Sequence, residues 1–101
     1  MDDKMSMTVG ISRITLIIPE GMSLKAKRKV VKSLVEKCRN RFNASVAEVD
    51  DHELYQKTTL AIAVVGKDGR TVNAVLDKIA EYMDSLKLAE IIDQDIELIR
   101  Y

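Results

Sequence analysis

TVGISRITLIIPEGMSLKAKRKVVKSLVEKCRNRF, residues Thr8 to Phe42, changes its hydrophobic period once, and that change decides the fold. Thr8 to Ile18 is rich in β-branched residues and stops at Pro19-Glu20-Gly21, which is strand chemistry followed by loop chemistry. Ser23 then offers a hydroxyl as an N-cap. Leu24, Val31, Val35, Cys38 and Phe42 recur at helical spacing as far as the exit at Asn40-Arg41-Phe42-Asn43. The opening unit is therefore a strand followed by an amphipathic helix.

Beyond Phe42 the pattern repeats in a longer form. Ala44 to Val49 reads as a short strand and Thr58 to Val65 as a more apolar one, with the polar stretch Asp50 to Lys57 as the loop between them. Gly66-Lys67-Asp68-Gly69 breaks the second of these, and Val72, Val75, Leu76, Ile79, Met83 and Leu86 keep one face of a helix that ends near Lys87. Ile91 to Tyr101 closes the chain as a fourth strand. The order β-α-β-β-α-β predicts an α+β fold of the ferredoxin-like kind, a four-stranded antiparallel sheet with both helices on one face. Residues 8–101 read as one domain and residues 1–7 as a disordered N-terminal extension.

At 101 residues and 47% hydrophobic content the chain can build one core without disulfide or metal. Cys38 is the single cysteine, so no intramolecular disulfide forms. Met1-Asp2-Asp3-Lys4 lacks the basic and apolar regions of a secretory signal, and Leu60 to Val65 is far short of the roughly 20 apolar residues that cross a bilayer. A cytoplasmic setting without membrane contact is the expectation.

In this topology strands one and three are central, and both of their faces are substantially apolar. Gly10, Ser12, Ile14, Leu16 and Ile18 alternate with Val9, Ile11, Arg13, Thr15 and Ile17, while Leu60, Ile62 and Val64 alternate with Thr59, Ala61, Ala63 and Val65. A sheet covered on one side only reads apolar inward and polar outward, so the second face is expected to meet another subunit in a homodimer. Arg13 is an odd charge on a central strand. It is expected to bridge to a carboxylate across the outer face, Glu48 or one from a partner subunit.

Charge is segregated along the chain. Lys25, Lys27, Arg28, Lys29, Lys32, Lys37, Arg39 and Arg41 stand on the first helix against one acid, Glu36, a net of +7 in a chain of zero formal charge. The remainder carries −7. Cations in the first turn oppose the helix dipole at about 0.3–1 kcal/mol each, so a polyanionic partner is the natural counterweight. At 100° per residue Lys25, Lys29, Lys32 and Arg39 form an outer ridge, with Lys27 and Arg28 flanking the buried stripe. The plainer alternative is a solvated face of snorkelling lysines.

Other motifs fail on spacing or context. His52-Glu53-Leu54-Tyr55-Gln56 begins like a zinc-protease pattern but has Gln56 where the second histidine belongs, so neither metal nor cofactor is implied. Gly66-Lys67-Asp68-Gly69 matches the Gly-x-x-Gly of KH domains, yet it joins a strand to a helix, and a turn with Asp68 as N-cap explains it. The outer faces of the central strands carry no aromatic, so base stacking on the sheet, as in RNA-recognition motifs, is ruled out. Cys38 lies on an apolar stripe away from any histidine and reads as a small hydrophobe. Nothing pairs a nucleophile with a base, so an enzyme is not expected and no catalytic residue is assigned.

The runs Ser23-Leu24-Lys25-Ala26-Lys27-Arg28 and Arg41-Phe42-Asn43-Ala44-Ser45-Val46-Ala47-Glu48-Val49, followed by Gln56 and Ala63-Val64-Val65, resemble the YlxP-like family of bacterial proteins of unknown function. The resemblance runs from about Val9 to the end of the second helix. Lys25, Lys27 and Arg28 match the family's basic positions, and Ser45 and Glu48 match positions of strand two. Ala61 stands where relatives often carry Gly, and Tyr55 where they often carry Trp. The resemblance implies a ferredoxin-like fold and a cytoplasmic protein, and no catalytic residues. It also implies a setting: in many Gram-positive bacteria a gene of this family lies between those of translation initiation factor two and ribosome-binding factor A.

These readings converge on a small accessory protein that binds structured RNA, ribosomal RNA or the ribosome, with Lys25, Lys27, Arg28, Lys29, Lys32 and Arg39 contacting phosphates. Two alternatives from other classes stand beside it. One is a regulatory module of the ACT type, holding a small anionic metabolite near Pro19 to Ser23 with Lys27 and Arg28. The other is a protein-interaction adaptor without ligand.

Overall fold

Thr8–Ile17 forms β1, Leu24–Arg41 α1, Ser45–Asp50 β2, Lys57–Gly66 β3, Gly69–Ser85 α2 and Glu90–Arg100 β4. The computed structural model describes residues 6–19, 23–51 and 56–101. Most of the expected N-terminal extension, part of the turn after β1 and most of the β2–β3 loop, with His52, Glu53 and Tyr55, lie outside the described residues. The four strands make one antiparallel sheet in the order β2-β3-β1-β4, with β1 and β3 central, which is the ferredoxin-like arrangement.

Local chemistry explains the helix boundaries. The Ala26 amide donates to the Ser23 hydroxyl at 3.1 Å, and the Thr71 amide donates to the Asp68 carboxylate at 2.8 Å, so each helix opens on a side-chain cap. The bonds from Thr71 also hold the Asp68 carboxyl below its ordinary range. Neither first turn contains an acid.

Inner-face residues Ile14, Leu16, Val46, Leu60, Ile62 and Val64 pack against Val31, Leu34 and Cys38 of α1 and Val72, Leu76, Ile79 and Met83 of α2. On α1 the stripe differs from the expected one. Leu34 is fully buried where Val35 was expected, and the stripe continues through Lys27, not Leu24. Burial pushes the Cys38 thiol up to about 11, consistent with a packed and unreactive side chain. α1 lies against β2, while α2 lies over β1, β3 and β4. No helix among the described residues is long and apolar enough to cross a membrane.

Two bulges set which side chains face where. The register of β2 on β3 slips between Glu48 and Asp50, leaving Val49 48% exposed, and that of β4 on β1 slips so that Ile92 is 51% exposed. Arg13 bridges to Asp95, its register partner on β4, at 2.7 Å. Glu48, one of its expected partners, is instead opposite Leu60 and therefore on the helix side of the sheet.

α2 packs tightly on β1 at Gly10. A β-carbon there would stand 2.3 Å from Val72 Cγ1 and 2.9 Å from Leu76 Cδ1, so glycine is required by space rather than by backbone angle. Gly10→Ala is expected to cost about 1–3 kcal/mol by forcing α2 off the sheet. Urea denaturation followed by circular dichroism checks this, with Ser12→Ala on the same strand as a reference.

Candidate nucleic-acid interface

α1 holds its cations in two separate environments. Lys25, Arg28, Lys29, Lys32, Lys37, Arg39 and Arg41 are exposed. Lys27 is wholly buried. Of the six residues expected to meet phosphates, five face solvent and Lys27 does not, so Lys27 leaves the set.

The physical reason is a buried network. Lys27 Nζ donates to Glu48 Oε2 at 2.9 Å and to the Asp51 carbonyl at 2.8 Å, and the buried Thr58 hydroxyl donates to the same Glu48 oxygen at 2.6 Å. Asp51 turns through a left-handed φ of 65°, and its carboxylate accepts from the Thr59 hydroxyl at 2.8 Å. An ammonium without water has to have such partners, because an isolated buried charge would be neutralised or expelled. Lys27 and Glu48, matched separately in the sequence resemblance, thus meet in space.

Arg39 plays a double part. One guanidinium nitrogen donates to the Val46 carbonyl at 2.6 Å while the side chain remains exposed, so its other donors are directed elsewhere. Lys32 and Glu36 are 4.0 Å apart with side chains 75% and 57% exposed, a contact too solvated to cancel the charge of the ridge. With Lys27 discounted, the exposed side of α1 keeps a net charge of +6. β4 by contrast carries Glu90, Asp93, Asp95 and Glu97 against Arg100.

Two features escaped sequence reasoning. Lys67, Arg70 and Arg100 come together around a hollow of about 460 Å³ where α2 begins, a second basic area that needs strand pairing to assemble. Arg41 and Phe42 reach Tyr82 across the two helices, a contact between residues distant in the chain. Of the two cations expected to hold a small anion, Lys27 is bonded to Glu48 and Asp51 and Arg28 is exposed.

The buried pair is measurable. Lys27→Met leaves the Glu48 carboxylate without its cation and is expected to cost about 3 kcal/mol, whereas adding Glu48→Leu should recover most of the loss. Chemical denaturation of the two single variants and the double variant checks the sign of the coupling.

Comparison with known proteins adds the following. Residues 9–96 match the family model described as "Protein of unknown function (DUF503)". The chain is 30% identical over 77 residues to "Uncharacterized protein YlxP" of Bacillus subtilis (strain 168), an alignment covering 76% of this chain and 84% of that protein. A solved structure described as "Structural Genomics, protein YJCS" superposes with a TM-score of 0.53 at 13% identity, over 88% of this chain and 96% of that one, which is a likeness of fold. The match across most of the chain makes this protein a member of the DUF503 family, to which the YlxP-like sequences belong.

Proposed function

We propose that this protein binds structured RNA, in the ribosome or a ribosomal precursor, through the outer ridge of α1. The observation that carries the proposal is the division of labour on that helix: one cation is buried and paired, and the others remain in solvent with a net charge of +6. Lys25, Arg28, Lys29, Lys32 and Arg39 take the phosphates of an extended polyanion. Contacts of this kind position a nucleic acid without reading its bases.

The bare face of the sheet takes a second copy of the chain. Val9, Ile11, Ile17, Ala61 and Ala63 are half-buried and Val65 is 62% exposed, while Arg13 at the centre is already bridged by Asp95. With Arg13 bridged, the centre of the face carries no net charge, and the remaining acids Asp93 and Glu97 stand at its β4 margin. Strands of 10, 6, 10 and 11 residues offer roughly 600 Å² per partner, near the roughly 800 Å² of a standard interface. The α1 ridge is on the opposite side and stays free in such a dimer.

Lys25, Lys29 and Lys32 all changed to Glu should lower affinity for a structured RNA by at least about 100-fold with little change in melting temperature. Binding by the unchanged protein should fall on the order of 10²–10³-fold between about 50 and 200 mM salt. Ribosome co-sedimentation and filter binding across that series check both, and retained binding by the triple variant would refute the ridge. For the sheet face, sedimentation equilibrium at about micromolar concentration should give twice the chain mass, and Ile11→Glu should halve it. A monomeric unchanged protein removes the dimer.

A further inference from the structure

The end of α1 and the last turns of α2 enclose a hollow of about 320 Å³ lined by Arg41, Phe42, Lys78, Glu81, Tyr82 and Ser85. Resting on the RNA-binding reading above, we infer that this hollow takes one unpaired nucleotide, its base stacked on the Arg41 guanidinium and its phosphate held by Lys78. The ridge then supplies affinity for any structured RNA, and the hollow selects RNA that offers an unstacked base.

Three observations carry this. The first is a prearranged stacking surface: Arg41 Cζ stands 4.7 Å from the centroid of the Tyr82 ring, which is itself fixed edge-on by Phe42 at 5.7 Å and 70°. One side of the guanidinium is covered by Tyr82, and the residue is exposed, so its other side offers a planar cation of the kind on which bases stack. The second is the alignment of polar groups on α2. Lys78 and Tyr82 are four residues apart, and Glu81 and Ser85 likewise, so successive turns present a cation, a ring and two acceptors to one space. The Ser85 hydroxyl donates its hydrogen to the Tyr82 carbonyl at 2.6 Å, which leaves its oxygen as an acceptor beside the Glu81 carboxylate. Acceptors suit the N–H groups of a base edge and repel phosphate, so they orient the nucleotide with its base inward and its phosphate toward Lys78.

The third is continuity with the ridge. Arg41 lies on the flank of α1 that faces α2, about 200° around the helix from Arg39, and the exposed Lys37 stands four residues before it on that flank, so a strand that crosses α1 from the ridge meets Lys37 and then the hollow. Among the described residues no strand carries an aromatic, and the stacking surface is instead between the helices.

The test compares a fully paired RNA duplex with an RNA hairpin of equal charge that carries 2-aminopurine at an unpaired loop position. The unchanged protein should bind the hairpin more tightly and quench the probe. Arg41→Lys keeps the charge but removes the plane, and should weaken the hairpin roughly 5- to 100-fold while leaving the duplex within about twofold. The Lys25, Lys29 and Lys32 to Glu variant should weaken both RNAs alike. If Arg41→Lys has no effect on the hairpin while the triple variant abolishes binding, the hollow is refuted and the ridge stands. If the unchanged protein binds neither RNA, both fall.

Discussion

Lys27 and Glu48 fix the relation between the first helix and the sheet, and the exposure of every other cation on α1 follows from it. The ammonium reaches past the end of the buried stripe to a carboxylate on β2 and a carbonyl beyond it. Farther along, Arg39 donates to the Val46 carbonyl of the same strand. The helix is thus fastened to a six-residue strand at both ends by cation-to-oxygen bonds, with Val31, Leu34 and Cys38 packed between them. Rotation of α1 about its axis would break both bonds, so the ridge of Lys25, Lys29 and Lys32 is held outward by the structure beneath it.

The same attachment manages a weak point of the sheet. β2 is a free edge, and an edge strand with unpaired carbonyls invites another strand. The Arg39 guanidinium covers one of those carbonyls, and the bulge at Val49 interrupts the regular ladder. At the opposite edge β4 is 11 residues long, but Asp93, Asp95 and Glu97 alternate along one face, and two such edges would bring like charges together. Both edges thus carry features that oppose strand addition.

Elements and order were legible because the hydrophobic period switches sharply at Pro19 and again at Gly66, with Ser23 and Asp68 marking helix starts by their chemistry. Lys27 was not legible as a core residue. A lysine contributes nothing to an apolar pattern, so the stripe was read through Leu24 and Val35 when the burial runs through Lys27, Val31 and Leu34. Its partner is 21 residues away, across a bulge that no periodicity announces. Arg13 failed for a related reason: its partner is set by the register of β1 on β4, and the last strand carried the weakest pattern in the chain. The exposed ridge needed no long-range information, only the helical angle between residues, and Lys25, Lys29 and Lys32 emerge where the sequence puts them.

A charge dipole inside a neutral composition is informative only if the fold keeps the two poles apart. Here it does so by layering. The cations of α1 sit on the helical side, turned from the sheet by the Lys27 and Arg39 bonds, while Asp93, Asp95 and Glu97 line the outer face of β4. Arg13 is the basic residue at the centre of that outer face, and it is consumed by Asp95. A nucleic acid approaching the sheet would meet acids and aliphatic side chains, and one approaching the helices would meet the exposed cations of α1. The repulsion on one side and attraction on the other act through a few Debye lengths at most, so they orient the encounter at short range and weaken together as salt rises. Orientation is therefore a property of the whole molecule, and substitution on β4 to remove its acids would loosen it without touching a single contact on α1.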